Sequence, residues 1–228
     1  MDIPVNLGAR SYTIVVGDGA LATVGERLRA LGLGSRAALV SDATILRLHG
    51  KAVSASLEAA GFRVVVVEVP EGEAAKTLDV AGRLWDRFLD AGLDRTSTVL
   101  ALGGGAVGDV AGFAAATFMR GTNFVQLPTT VLGQVDASIG GKTAIDHPRA
   151  KNLVGAFHQP RLVVADLATL QTLPERDFRS GLAEVVKHGA VLDADYFAEV
   201  ERDVVPSSRG TRRPWSGSSA ARAGSRRR

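Results

Sequence analysis

The apolar run from Thr98 to Leu102 ends on three consecutive glycines, Gly103, Gly104 and Gly105, and this join constrains the fold more than any other feature. The run predicts a buried strand. Glycine tolerates positive φ and lets backbone approach a ligand closely, and successive N–H groups in such a turn form an anion-binding concavity. Val107 to Met119, small and apolar, predicts a buried helix behind the turn. A glycine turn feeding a helix N-terminus suits a phosphate, because unpaired N–H groups and the helix dipole both favour negative charge there. A second strand, Asn123 to Leu127, ends in Pro128-Thr129-Thr130, which puts two hydroxyls at its exit. Asp136 follows, then a second glycine turn, Gly140-Gly141, carrying Lys142 and Thr143. The first turn is not a G-x-G-x-x-G fingerprint, and the second lacks the spacing of a Walker loop.

The flanking sequence alternates strands and helices. Ile3 to Leu7 and Tyr12 to Val16 predict a hairpin, Leu21 to Leu31 a helix, Ala37 to Ser41 a buried strand ending at Asp42, and Ile45 to Ala60 a helix closed by Gly61. Val64 to Val69 is an uninterrupted β-branched run, as expected of a central parallel strand. Pro70 to Lys76 is a loop, Thr77 caps a helix reaching Ala91, and Leu162 to Ala165 is a further strand. The pattern predicts an α/β fold, a Rossmann-like open and mostly parallel sheet. Ligands in such sheets bind beyond the carboxyl ends of the strands. Asp42, Glu73 with Lys76, the Gly103–Gly105 turn and Thr129-Thr130 all fall on that edge. Thr172-Leu-Pro-Glu175 reads as a capping box with an early proline. Ser180 to Leu192 continues as a helix whose Glu184, Lys187 and His188, at i, i+3 and i+4, share one face.

Of the 228 residues 46% are hydrophobic, so a core is available, while no apolar run approaches the roughly 18 residues that span a membrane. There is no cysteine, hence no disulfide or thiolate metal site, and no signal peptide is visible, so a cytoplasmic protein is expected. The net charge of +3 misleads: Pro206 to Arg228 holds seven arginines and no acid, and without them 20 basic residues face 24 acidic ones, a balance of −4. The domain is therefore not expected to bind nucleic acid. Residues 206–228, almost all Ser, Arg, Gly, Ala and Pro, are expected to be disordered.

Taken whole, GGGAVGDVAGFAAATFMRG, then LPTT, then QVDASIGGKTAID closely resembles the 3-dehydroquinate synthases, a family of sugar-phosphate cyclases. The resemblance runs from about Val5 to Val204. It implies a lyase of the shikimate pathway, leading to chorismate and the aromatic amino acids, that uses NAD and a zinc or cobalt ion. Such enzymes convert 3-deoxy-D-arabino-heptulosonate 7-phosphate to 3-dehydroquinate and phosphate. A secondary alcohol is oxidised, phosphate leaves, the carbonyl is reduced again and the ring closes. The resemblance further implies an NAD-binding domain over residues 1–172 and the start of a helical metal and substrate domain over 173–205. Asp42, Glu71, Gly72, Glu73, Lys76, Gly104, Gly105, Asp109, Thr129, Thr130, Lys142, Lys151 and Thr169-Leu170-Gln171-Thr172 match cofactor-binding positions. Asp136, Lys142, Lys151, Asn152 and Lys187 match residues around the substrate, and Arg120 matches an arginine that the partner of a homodimer lends to the substrate phosphate. Glu184 matches the first metal ligand. The family's remaining ligands, two histidines of an N-x-G-H-T-x-G-H-A type motif, have no counterpart among His49, His147, His158 and His188. The composition break near Val205 sets the expectation of a truncated, frame-shifted C-terminus and impaired turnover. The alternatives are another sugar-phosphate cyclase making a cyclitol, or a non-catalytic NAD-binding remnant.

Overall fold

The computed structural model describes residues 1–204; the expectation of a disordered tail from Pro206 lies outside them. β1 (Asp2–Val5) and β2 (Tyr12–Gly17) pair as the predicted antiparallel hairpin. A 3₁₀ turn, Ala20–Thr23, precedes α1 (Val24–Ala30), so the first helix starts as a tighter coil than its spacing suggests. β3 (Arg36–Asp42) leads to α2 (Ala43–Ile45), which passes through a π turn, Leu46–Gly50, into α3 (Lys51–Ala59). Next come β4 (Arg63–Val69), a 3₁₀ turn at Gly72–Ala75, and α4 (Leu78–Asp90), whose first turn is capped by Thr77 accepting from the Val80 N–H at 3.2 Å. β5 (Thr98–Gly103), α5 (Gly105–Thr117) and β6 (Asn123–Pro128) follow. After a π turn, Gly133–Ala137, the hairpin strands β7 (Lys142–His147) and β8 (Ala150–Phe157) precede β9 (Leu162–Asp166). A 3₁₀ turn, Leu167–Thr172, then leads to α6 (Glu175–Leu192) and α7 (Ala194–Val204).

Seven strands form one sheet in the order β1-β2-β9-β6-β5-β3-β4, parallel except for β1 against β2. β7 and β8 form a separate antiparallel pair. One core packs α4 and α5 on one face of the sheet, around Phe88, Val99, Val110 and Phe124; the other packs α1 and α3 on the opposite face, around Leu28, Leu39, Leu57 and Leu100. Two expectations are corrected. The Val64–Val69 run is not a central strand: β4 is the sheet's edge, with Val66 44% exposed. Its β-branched residues satisfy the extended backbone, which does not depend on having neighbours on both sides. The Thr172–Glu175 capping box does not form either. Thr172 belongs to the preceding 3₁₀ turn and donates to the Thr169 carbonyl, and Pro174 stands at the N-cap of α6 with no side-chain cap.

α5 lies unusually close to its neighbours. A Cβ on Gly112 would stand 2.4 Å from Thr143 of β7 and 2.9 Å from Phe124 of β6. Only glycine allows helix, sheet and hairpin to meet there. α6 and α7 bury Val185, Tyr196 and Val200 against Val131 and Val135. This packing lays α6 over the π turn that carries Asp136.

Candidate active site

The carboxyl edge of the sheet carries the glycine turn. Gly103 takes φ +154, Gly104 is the extended N-cap of α5, and the Gly103 carbonyl accepts from the Thr129 N–H at 3.0 Å. The first N–H groups of a helix have no partner within it, so the turn presents donors at the edge where ligands bind. A Cβ on Gly104 would lie 3.3 Å from Thr130, and one on Gly105 3.4 Å from Ala137. Thr129 is 2% exposed and its hydroxyl has no partner among the described residues, an orphan polar atom beside the turn. Thr130 instead accepts from the Gly133 N–H at 3.0 Å. Asp42, at the end of β3, caps the next helix by accepting from the Ile45 N–H at 2.9 Å. Thr169 donates to the Asp166 carbonyl, and Gln134 bonds Pro128, Asp166 and Thr169, tying the exits of β6 and β9 together. Leu170 and Gln171 lie in the same 3₁₀ turn, whose Thr172 hydroxyl meets His49 Nε2 at 3.0 Å.

Glu71, Gly72 and Glu73 are exposed in the loop after β4, where Glu73 reaches Lys151 at 3.4 Å. Lys76, by contrast, is only 3% exposed and is turned to Asp109, Asp146 and Asn152. Burial raises the pKa of Asp109 against the pull of Lys76. The Asn152 N–H, above all, holds the Asp146 carboxyl below its usual range, with Lys76 and Lys151 adding to it.

A cleft of about 430 Å³ opens between α5 and the β7–β8 hairpin. Asp109, Asp136, Lys142 and Asn152 supply its polar lining, and Leu153 and Phe157 its apolar wall. Asp136, Lys142 and Asn152, which the resemblance puts around the substrate, all line this one cleft. The sequence does not show the hairpin that brings them there, because β8 is exposed almost throughout and has no alternation to read. Beside Asp136, the donor atoms of Glu184 and His188 complete a group lying within 4.8 Å of one another. Lys187 forms an ion pair with Glu184. His188 is 6% exposed, and burial, helped by Lys187, lowers its pKa while Glu184 opposes the shift. The spacing puts His188 on one face with Glu184, but only the packing of α6 over the π turn brings both beside Asp136. A mixed set of two carboxylates and an imidazole suits a divalent ion such as zinc or cobalt.

Arg120 is not brought to this cleft. It precedes β6, at the amino edge of the sheet, exposed and at φ +67 beside Met119 at φ +50. The 13 residues of α5 separate it from the glycine turn, about 20 Å at the usual helical rise.

The N-terminal model of the 3-dehydroquinate synthases matches residues 66–180. The chain belongs to the 3-dehydroquinate synthase family. It is 55% identical over 202 residues to the 3-dehydroquinate synthase of Pelotomaculum thermopropionicum, covering 89% of this chain and 54% of that protein. The Geobacter metallireducens 3-dehydroquinate synthase is also 55% identical, over 90% of this chain and 57% of its own length. The chain thus spans a little over half of these relatives. Among solved structures, a 2-epi-5-epi-valiolone synthase from Streptomyces hygroscopicus with NAD+ and Zn2+ bound superposes with TM-score 0.84 at 32% identity, over 96% of this chain and 61% of that one. A 2-deoxy-scyllo-inosose synthase complexed with carbaglucose-6-phosphate, NAD+ and Co2+ gives 0.77 at 28%, over 82% and 51%. An iron-containing alcohol dehydrogenase, at 15% identity and TM-score 0.71 over 94% of this chain and 65% of its own, shares the fold.

Proposed function

We propose that this chain supplies the nucleotide- and substrate-facing half of a 3-dehydroquinate synthase site, acting on 3-deoxy-D-arabino-heptulosonate 7-phosphate in a cytoplasmic biosynthetic pathway. The observation that carries the reading is the meeting, at one sheet edge, of the glycine turn with a cleft lined by Asp136, Lys142 and Asn152. The turn at Gly104 and Gly105, the orphan Thr129 hydroxyl and the Thr169–Thr172 segment fit NAD, whose pyrophosphate the α5 N-terminus would hold. NAD there would take a hydride from one secondary alcohol and return it within the turnover. Asp136, Glu184 and His188 would hold a zinc or cobalt ion, a Lewis acid toward that hydroxyl.

The remaining work falls to the chain's own groups. Lys142, Lys151 and Lys187 suit a phosphate and a carboxylate, as compact cations with three donors each. The Asp136 carboxylate can orient a substrate hydroxyl by accepting its proton in a hydrogen bond. Phe157 and Leu153 give the cleft one apolar wall, open to solvent. Arg120, stranded on the far edge, fits a role in the site of a second copy, where a guanidinium would meet the substrate phosphate. Other sugar-phosphate cyclases share the fold, but identities of 28–32% to them against 55% to the 3-dehydroquinate synthases favour the heptulosonate.

Calorimetric titration of the chain with NAD tests the reading. Binding by the native chain and its loss in Gly104→Val support it, since the added side chain would crowd Thr130 and block the turn. Equal affinity in both overturns the cofactor assignment.

A further inference from the structure

We infer that Lys76 is a positioning residue, clasping the β7–β8 hairpin to α5 and so fixing the backbone that carries Lys151 and Asn152. Its place in the chain makes this possible. Lys76 ends the 3₁₀ turn after β4, and its carbonyl accepts from the Asp146 N–H at 2.8 Å, which brings β7 alongside. The side chain, 4% exposed, then runs inward to an ammonium 2.8 Å from Asp109 of α5 and 3.9 Å from Asp146 of β7. The same ammonium donates to the side-chain oxygen of Asn152 on β8. A helix and both strands of the hairpin therefore meet on one cation.

The hairpin has need of such a tie. Asn152 sits at φ +56, a left-handed backbone that asparagine tolerates and most residues avoid. Its own N–H donates to Asp146 at 2.7 Å, so Asp146 holds the backbone of the turn while Lys76 holds the side chain. β8 is exposed from Ala150 to Gly155 and offers little apolar burial to do the same. Lysine matches the site chemically. It is a point charge with three donors that can be shared among oxygens at different angles. The resemblance assigns Lys76 to the cofactor; the geometry assigns its charge to the oxygens of Asp109, Asp146 and Asn152. The inference rests on the proposed function only in taking Lys151 and Asn152 as substrate-facing.

Amide hydrogen exchange on the full chain tests it. In Lys76→Met the amides of Asp146 and Asn152 should exchange at least tenfold faster, while those of β5 and β6 should be unchanged. Lys76→Arg, keeping the cation, should restore slow exchange to within threefold. Lys76→Met strands the Asp109 carboxylate, so the double variant Lys76→Met with Asp109→Asn decides if the single one fails to fold; it should show the same faster exchange. Unchanged hairpin exchange in a folded variant overturns the clasp. A tenfold loss of NAD affinity with unchanged exchange makes Lys76 a cofactor contact instead. Absence of NAD binding by the native chain would count against the proposed function, while the exchange measurement would still decide the role of Lys76.

Discussion

The glycine turn and the β7–β8 hairpin border the same site but are held by different forces. The turn is fixed by close packing: β5 is buried along its whole length, and α5 behind it presses on β6 and β7 through glycines that admit no side chain. The hairpin packs Thr143 and Ile145 of β7 against α5, but β8 is largely exposed and is held through polar ties, Lys76 to Asp109, Asp146 and Asn152 and Lys151 to Glu73. The difference separates two tasks. On the proposed function, a rigid cradle would suit a retained cofactor, and charges whose partners can be exchanged would suit a face that meets substrate oxygens.

The sharpest way to break the contrast is to spoil the packing. Gly112→Val would drive a branched side chain into Thr143 and Phe124, and overpacking of this kind costs about 1–3 kcal/mol or more. Urea unfolding should show a loss at the upper end of that range. The cradle itself comes next. Gly104→Val, at a partly exposed turn with milder contacts, should weaken NAD at least about tenfold, or 1.4 kcal/mol, while stability changes by less than about 1 kcal/mol, since substitutions away from a packed core have small effects. On α6, His188→Ala removes one of three donors and should weaken Co2+ binding about tenfold, or 1.4 kcal/mol, read from the visible absorption of the bound ion. Lys187→Met should strengthen it, because the ammonium competes for Glu184. The smallest effect belongs to the exposed face. Phe157 is 81% exposed, so Phe157→Ser should change the unfolding free energy, read from urea unfolding, by no more than the ~0.5 kcal/mol usual for surface substitutions. A large drop there would show that the hairpin relies on apolar burial after all.

What could be read from sequence follows the same divide. The strand, glycine turn and helix over 98–117 were legible because close packing demands small and apolar residues in an unbroken run. The hairpin was not, because Ala150 to Phe157 shows no alternation where neither face is buried. β4 was legible as a strand and misread as central: β-branching reports backbone preference, and its place at the edge is set by where the crossovers lead. Residue types near the site were legible, but their partners were not. Nothing in the spacing of Lys76, Asp109 and Asp146 says that a lysine will be shared among them, and His188 joins Asp136 only because α6 packs on Val131 and Val135.

The placement of Arg120 has a consequence for kinetics. Arg120 stands at the amino edge of the sheet, about 20 Å along α5 from the glycine turn of its own chain, and is not among the residues that line the cleft. If it completes a neighbour's site, catalysis becomes a property of pairs. Specific activity should then rise with enzyme concentration toward a plateau, following mass action. In any assembly of this chain that turns over substrate, two inactive variants, one lacking Arg120 and one lacking Lys142, should regain activity when mixed, because a mixed pair contains one site with both groups intact.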